Sequence, residues 1–156
     1  MAPLAYLAHR CRGRNAGGKR TSIIVYAGAR NAQSIVGIKH FEAVDLRICT
    51  DDGSRGFHGP VTALFERDLC SYDPEKTMIY ACGPPAMIGS LARILEATSF
   101  SCQVSMEERM ACGVGACLGC VTAVKDNGGR IRYERVCREG PVFDIRDLAG
   151  LKTDPC

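Results

Sequence analysis

The 156 residues suffice for one ordinary domain, or one with a small appendage, and a net charge of +3 is too small to argue for a nucleic-acid partner. No apolar run reaches the roughly 18 residues needed to span a bilayer, and no charged region precedes an apolar stretch at the N-terminus as in a signal peptide. Ten cysteines without an export signal imply a reducing cytoplasm, where thiols serve metals or sit as small buried hydrophobes.

In chain order, Pro3 to His9 opens a short helix, with proline well placed in its first turn. A basic stretch follows (Arg10, Arg12, Arg14, Lys19 and Arg20 among glycines). It lacks interleaved aromatics and reads as a solvated connecting loop. Ser22 to Ala27 is a buried strand, Gln33 to Val44 a helix, and Asp45 to Cys49 a second strand. Pro60 starts a helix through Leu69, Thr77 to Cys82 is a strand, and Pro85 to Ala97 is the clearest helix. There Met87, Ile88, Leu91, Ile94 and Leu95 recur at helical spacing as a core face. Cys102 to Ser105 closes the series. Strands alternating with crossover helices predict an α/β fold with an open parallel sheet.

Next comes Cys112-Gly-Val-Gly-Ala-Cys117-Leu-Gly-Cys120, with Cys137 further on. This is the plant-type spacing for the four ligands of a [2Fe–2S] cluster. Gly113, Gly115 and Gly119 would free the backbone to aim amide groups at sulfur. Structural zinc also takes four cysteines and stays open as a competing reading, but usually from two separated C-x2-C pairs. Val121–Lys125 and Arg130–Val136 read as strands joined by Asp126-Asn127-Gly128-Gly129, a hairpin that returns Cys137 to Cys120. For Cys11, Cys49, Cys70, Cys102 and Cys156 a purely structural role is expected. The division expected is 1–105 for the sheet domain and 106–156 for the hairpin module and its tail.

Two loops follow strands, where open α/β sheets bind ligands. In Thr50-Asp51-Asp52-Gly53-Ser54, carboxylates could accept bonds from ribose hydroxyls and repel a 2′-phosphate, favouring NAD over NADP; the same residues are also ordinary turn chemistry. In Cys82-Gly83-Pro84-Pro85, glycine would admit a planar ligand and Cys82 could lie against a nicotinamide ring; a small residue buried at a strand end is the alternative.

Cys82-Gly-Pro-Pro-x-Met87 after a strand resembles the nicotinamide-side signature of the ferredoxin reductase family. Met106 to Cys120, followed by Arg135-Val-Cys137-Arg-Glu-Gly-Pro-Val-Phe-Asp144, closely resembles one branch, the electron-transfer subunits of NAD-dependent (class B) dihydroorotate dehydrogenase. Gly28-Ala-Arg-Asn31 and Thr50 to Ser54 fit its pattern too. The resemblance implies that residues 1–105 are a partial NAD-binding domain of ferredoxin-reductase type. It implies cluster ligation by Cys112, Cys117, Cys120 and Cys137, ribose binding at Asp51 or Asp52 beside Gly53 and Ser54, and a nicotinamide side lined by Cys82, Gly83 and Pro84.

The partner implied is an FMN-containing dihydroorotate dehydrogenase catalytic subunit in a hetero-oligomer, serving pyrimidine biosynthesis. Electrons would pass from FMN through the cluster to FAD and NAD⁺. Complete members begin with an FAD-binding β-barrel and a pyrophosphate loop, so the expectation is a truncated chain, inactive in isolation. Its sheet would lack the first strand, which in the order 3-2-1-4-5 lies between 22–27 and 77–82. No residue is a candidate for acid–base attack on dihydroorotate. Service to another flavoprotein complex (a hydrogenase or ferredoxin:NADP oxidoreductase), or a non-redox zinc-stabilised module, stays open at this point.

Overall fold

The computed structural model describes residues 2–12, 15–16, 19–41, 44–126 and 128–151. Arg14 and its neighbouring glycines in the basic stretch, residues 42–43 of the helix expected over Gln33–Val44, Asn127, and residues 152–156 with Cys156 lie outside these. The chain divides into two compact units, Met1–Ser71 and Tyr72–Cys156, each with its own three-stranded sheet.

The first unit opens with helix α1 (Ala2–Cys11), and the basic stretch after it is not only a loop. Two short strands, β1 (Asn15–Ala16) and β2 (Lys19–Arg20), pair there antiparallel. Strand β3 (Ile24–Ala29) then runs parallel to β4 (Asp45–Thr50), from Ile24 opposite Asp45 to Ala29 opposite Thr50. A short β5 (Phe57–His58) adds in parallel to the end of β4. Two residues in a glycine-rich loop carry no periodic signal, which is why sequence patterning misses β5.

Helix α2 (Val61–Asp68) lies on this sheet and buries Leu64. A methyl group on Gly28 would come within 2.8 Å of Val61 Cβ and 3.2 Å of Cys49 Sγ, so this glycine serves close helix–sheet packing. Tyr26 meets Phe65 edge-on at 5.5 Å and donates its hydroxyl to Asp68, which Arg47 also reaches.

Over the described residues 33–41 the helix expected from Gln33 to Val44 does not form. Two 3₁₀ turns, Ala32–Ser34 and Ile38–Phe41, stand in its place. Gly37 between them adopts φ 73°, outside the helical region, and β-branched Ile35 and Val36 precede it. Asn31 caps the first turn by accepting from Ser34 N–H at 2.9 Å.

In the second unit β6 (Met78–Cys82) runs parallel to β7 (Ser101–Ser105), with α3 (Pro85–Glu96) as the crossover. Ile88, Leu91 and Leu95 are buried as the helical spacing predicts, and Met87 and Ile94 lie at the margin of that face. Beyond the cysteine loop, β8 (Val121–Lys125) and β9 (Ile131–Arg135) form the expected antiparallel hairpin. Asp126 closes its turn by accepting from the N–H groups of Gly128 and Arg130.

The segment after the hairpin is structured. Strand β10 (Val142–Asp144) joins β7 antiparallel, and Ala149 N–H donates to Ala123 O at 2.9 Å. Cys102, Val104, Val124, Val136, Phe143, Ile145 and Leu148 are the buried core around these strands.

Candidate metal centre

Met106 N–H donates to Pro141 O, which fastens the cysteine loop to the start of β10. From Glu107 to Gly119 the backbone belongs to neither helix nor strand. Gly113 and Gly115 take φ of 66° and 81°, a region that favours glycine. Gly119 does not share this geometry; its φ lies outside the left-handed region, and an added methyl group would make only ordinary contact with Cys117 Sγ and Ala111.

Amide groups point at sulfur, as the spacing suggests. Cys117 N–H donates to Cys112 Sγ and Gly119 N–H to Cys117 Sγ, both at 3.4 Å. The Cys117 amide, with those of Val114 and Ala116, lowers the Cys112 thiol to about 6. Such donors stabilise a thiolate.

Cys112 and Cys117 meet inside the loop, where the Cys117 amide reaches the Cys112 sulfur, and the Cys120 thiol, then burial, raises the Cys137 pKa, with the Cys112 charge adding to the shift. The hairpin brings Cys137 back to Cys120. Val121 stands opposite Arg135, and Val136 N–H donates to Cys120 O at 2.9 Å. Among the described residues no three side chains converge as ligands of a single ion. Four cysteine thiols, with backbone amides facing the sulfurs of Cys112 and Cys117, are a donor set that fits an iron–sulfur group.

Around the loop Met110, Val114 (75% exposed) and Leu118 (74%) present apolar side chains to solvent, and Ile131 and Tyr133 do so on β9.

The two expected nucleotide loops fall one in each unit. In the first, Thr50 is buried, and its hydroxyl accepts from Arg55 N–H and donates to Arg55 O. Asp52 turns back on its own loop, accepting from Ser54 N–H at 2.9 Å and Ser54 Oγ at 2.6 Å; these two bonds lower its pKa. Ser54 Oγ in turn accepts from Ala32 N–H at 2.8 Å. Gly53 takes φ 72° against the His58 ring. No side-chain bond of Asp51 occurs among the described residues.

In the second loop, Cys82 donates to Glu107 Oε1 at 3.2 Å, and burial, then this bond, raises its pKa. Glu107 was not singled out from sequence; only its position beside the cysteine motif could have marked it. The space at Gly83 is filled by Met87, whose Cε would lie 2.5 Å from an added methyl group. Pro84 caps α3.

Residues 107–149 match the family described as the iron–sulfur cluster binding domain of dihydroorotate dehydrogenase B. The chain is 37% identical over 144 residues to the dihydroorotate dehydrogenase B (NAD(+)) electron transfer subunit of Caldanaerobacter subterraneus subsp. tengcongensis, covering 92% of this chain and 53% of that protein. The protein of the same name from Desulforamulus reducens is 42% identical over 127 residues, covering 80% and 47%. That from Shouchella clausii is 36% identical over 149 residues, covering 95% and 53%. The chain thus spans about half the length of these curated relatives.

A solved NADH-dependent reduced ferredoxin-NADP oxidoreductase shares the fold with a TM-score of 0.60 at 23% identity, over 78% of this chain and 42% of that one. Over about half the length of those curated relatives the chain is similar to dihydroorotate dehydrogenase B electron transfer subunits, and its residues 107–149 match the iron–sulfur cluster binding domain of that family.

Proposed function

We propose that this chain works as the electron-transfer subunit of a dihydroorotate dehydrogenase, between the FMN of a catalytic subunit and the FAD and NAD⁺ of the complete assembly. The observation that carries the reading is the loop of Cys112, Cys117 and Cys120, whose backbone amides face sulfur, with Cys137 returned to Cys120 by the hairpin, inside the segment that matches the family's cluster domain. The group they would hold is a [2Fe–2S] cluster, which supplies one-electron chemistry when bound. Cys112, Cys117, Cys120 and Cys137 would hold its irons. The amides of Cys117 and Gly119 would stay aimed at sulfur and favour its charged form.

Residues 1–105 form the nucleotide part and 106–156 the cluster part in this reading. Asp51 is the better ribose ligand of the acidic pair, because Asp52 is engaged with Ser54. Gly53 shapes that turn, and Cys82, Gly83 and Pro84 lie on the nicotinamide side, joined there by Glu107. NAD is preferred to NADP because a carboxylate repels a 2′-phosphate. Exposed Met110, Val114 and Leu118 beside the cysteines suit an apolar contact with the catalytic subunit. No helix among the described residues is long and apolar enough to cross a membrane; work in the cytoplasm is part of this proposal.

The test is an anaerobic mixture of this chain with an FMN-containing catalytic subunit. Added dihydroorotate should bleach the FMN with or without this chain, but should bleach the cluster absorbance and raise the one-electron resonance signal of a reduced cluster only when both chains are present. A cluster that dihydroorotate leaves oxidised would contradict the reading.

A further inference from the structure

Arg135 is the last residue of β9, and every polar group on it is engaged. Its Nε donates to Glu139 Oε2 at 3.1 Å and its Nη2 to Glu139 Oε1 at 2.6 Å, a two-pronged fork. The remaining nitrogen, Nη1, leaves the pair and donates to Gly115 O at 2.7 Å, inside the cysteine loop. The Arg135 backbone N–H donates to Glu139 Oε2 at 2.8 Å. Its carbonyl accepts from the N–H groups of Arg138, Glu139 and Gly140. The turn that carries Cys137 is therefore wound around this one residue.

An exposed Arg–Glu pair four residues apart contributes little in general, and the hairpin has others, Arg130 with Asp126 and Arg132 with Glu134. Those two stay within the hairpin. Arg135 differs because its third nitrogen crosses to another segment, at a glycine that cannot readily be replaced. Gly115 has φ 81°, and a methyl group there would lie 2.7 Å from Cδ of Arg138, whose stem covers it. Arg135 also lies close enough to Cys137 and Cys120 for its charge to interact with theirs. Lysine could supply the charge but not a planar fork together with a third, divergent donor.

We infer that Arg135, locked by Glu139, is a positioning residue for the metal centre: it ties the loop of Cys112, Cys117 and Cys120 to the turn of Cys137 and sets a permanent positive charge beside the thiolates. The inference rests on the iron–sulfur reading above. Partners beyond the ligands orient a metal site and tune it. A fixed cation favours the state with one more electron, so Arg135 should raise the reduction potential as well as slow cluster loss.

The experiment measures midpoint potential and the rate of bleaching by an iron chelator on the anaerobically prepared full chain. Arg135→Gln removes both clamp and charge. Bleaching should quicken several-fold, and the reduction equilibrium should shift about tenfold toward the oxidised form, about 59 mV for one electron. Arg135→Lys keeps the charge and loses the fork, so bleaching should quicken while the potential stays near that of the parent. Glu139→Gln unlocks the clamp and leaves the cation, so bleaching should quicken without a fall in potential. These two decide the matter if Arg135→Gln assembles no cluster. Arg132→Gln should change neither reading.

Parent-like potential and bleaching in Arg135→Gln would overturn the inference, as would an equal shift in Arg132→Gln. A parent chain that takes up no iron and sulfide would overturn the iron–sulfur reading itself, and this inference with it.

Discussion

Cys102 and Cys112 carry the same thiol in opposite surroundings. Cys102 sits on β7 fully buried, and burial pushes it up to about 12, with the Asp144 charge adding to the shift. Cys49 on β4 is buried too and raised for the same first reason. Cys112 sits in a loop whose amides face its sulfur and bring it down to about 6. A strand spends its N–H groups on the neighbouring strand, so a cysteine there is a small hydrophobe. The glycine-bearing loop leaves its N–H groups to the sulfur, which favours the thiolate that a metal ligand requires.

The largest effects should follow from exchanging these roles. Cys112→Ala, Cys117→Ala, Cys120→Ala or Cys137→Ala should each abolish or severely weaken the cluster, read from visible absorbance and bound iron. Cys102→Ala, Cys11→Ala or Cys70→Ala should leave the cluster, with a stability cost of about 1 kcal/mol where the thiol is buried. Full cluster content in any of the first four would break the distinction.

Gly115→Ala probes the loop backbone. A side chain in the left-handed region costs about 1–2 kcal/mol, and here it also meets Arg138. Cluster content should fall several-fold, while Gly119→Ala, without either penalty, should stay near the parent. Equal losses would show that the loop glycines act by some other means.

Acidity gives a milder contrast. In the iron-free protein Cys112 is largely thiolate above about 6, so iodoacetamide at neutral pH should label it well before Cys102. Its labelling rate should fall only as the pH drops through about 6, because protonation of the thiolate removes the nucleophile. A Cys112 profile that fell near the ordinary thiol value of about 8.5 would remove the role assigned to the amides.

The smallest effect concerns the acidic pair. In a protein extended to the relatives' length, Asp51→Ser should narrow the preference for NAD over NADP more than Asp52→Ser does. The reverse order in steady-state kinetics would reassign the ribose ligand.

The two regions also differ in how legible they were. Thiolate ligands must recur at fixed spacing, so Cys112, Cys117, Cys120 and Cys137 alone point to the iron–sulfur domain that residues 107–149 match. The hairpin was equally plain from its alternating strands. Over 33–44 an apolar pattern suggested a helix, but Gly37 and two β-branched residues divided it into turns. Partners that meet through tertiary structure were hidden. Glu107 reaches Cys82, and Arg135 reaches Gly115, across stretches of chain that no local pattern connects. Sequence could name the Asp51–Asp52 pair but not show that Ser54 engages one of them.

The most direct test of the iron–sulfur assignment is an iron and acid-labile sulfide determination on protein prepared without oxygen. The expected result is a brown protein with about two irons and two sulfides per chain, as a [2Fe–2S] centre requires. Colourless protein holding one zinc and no sulfide would contradict it.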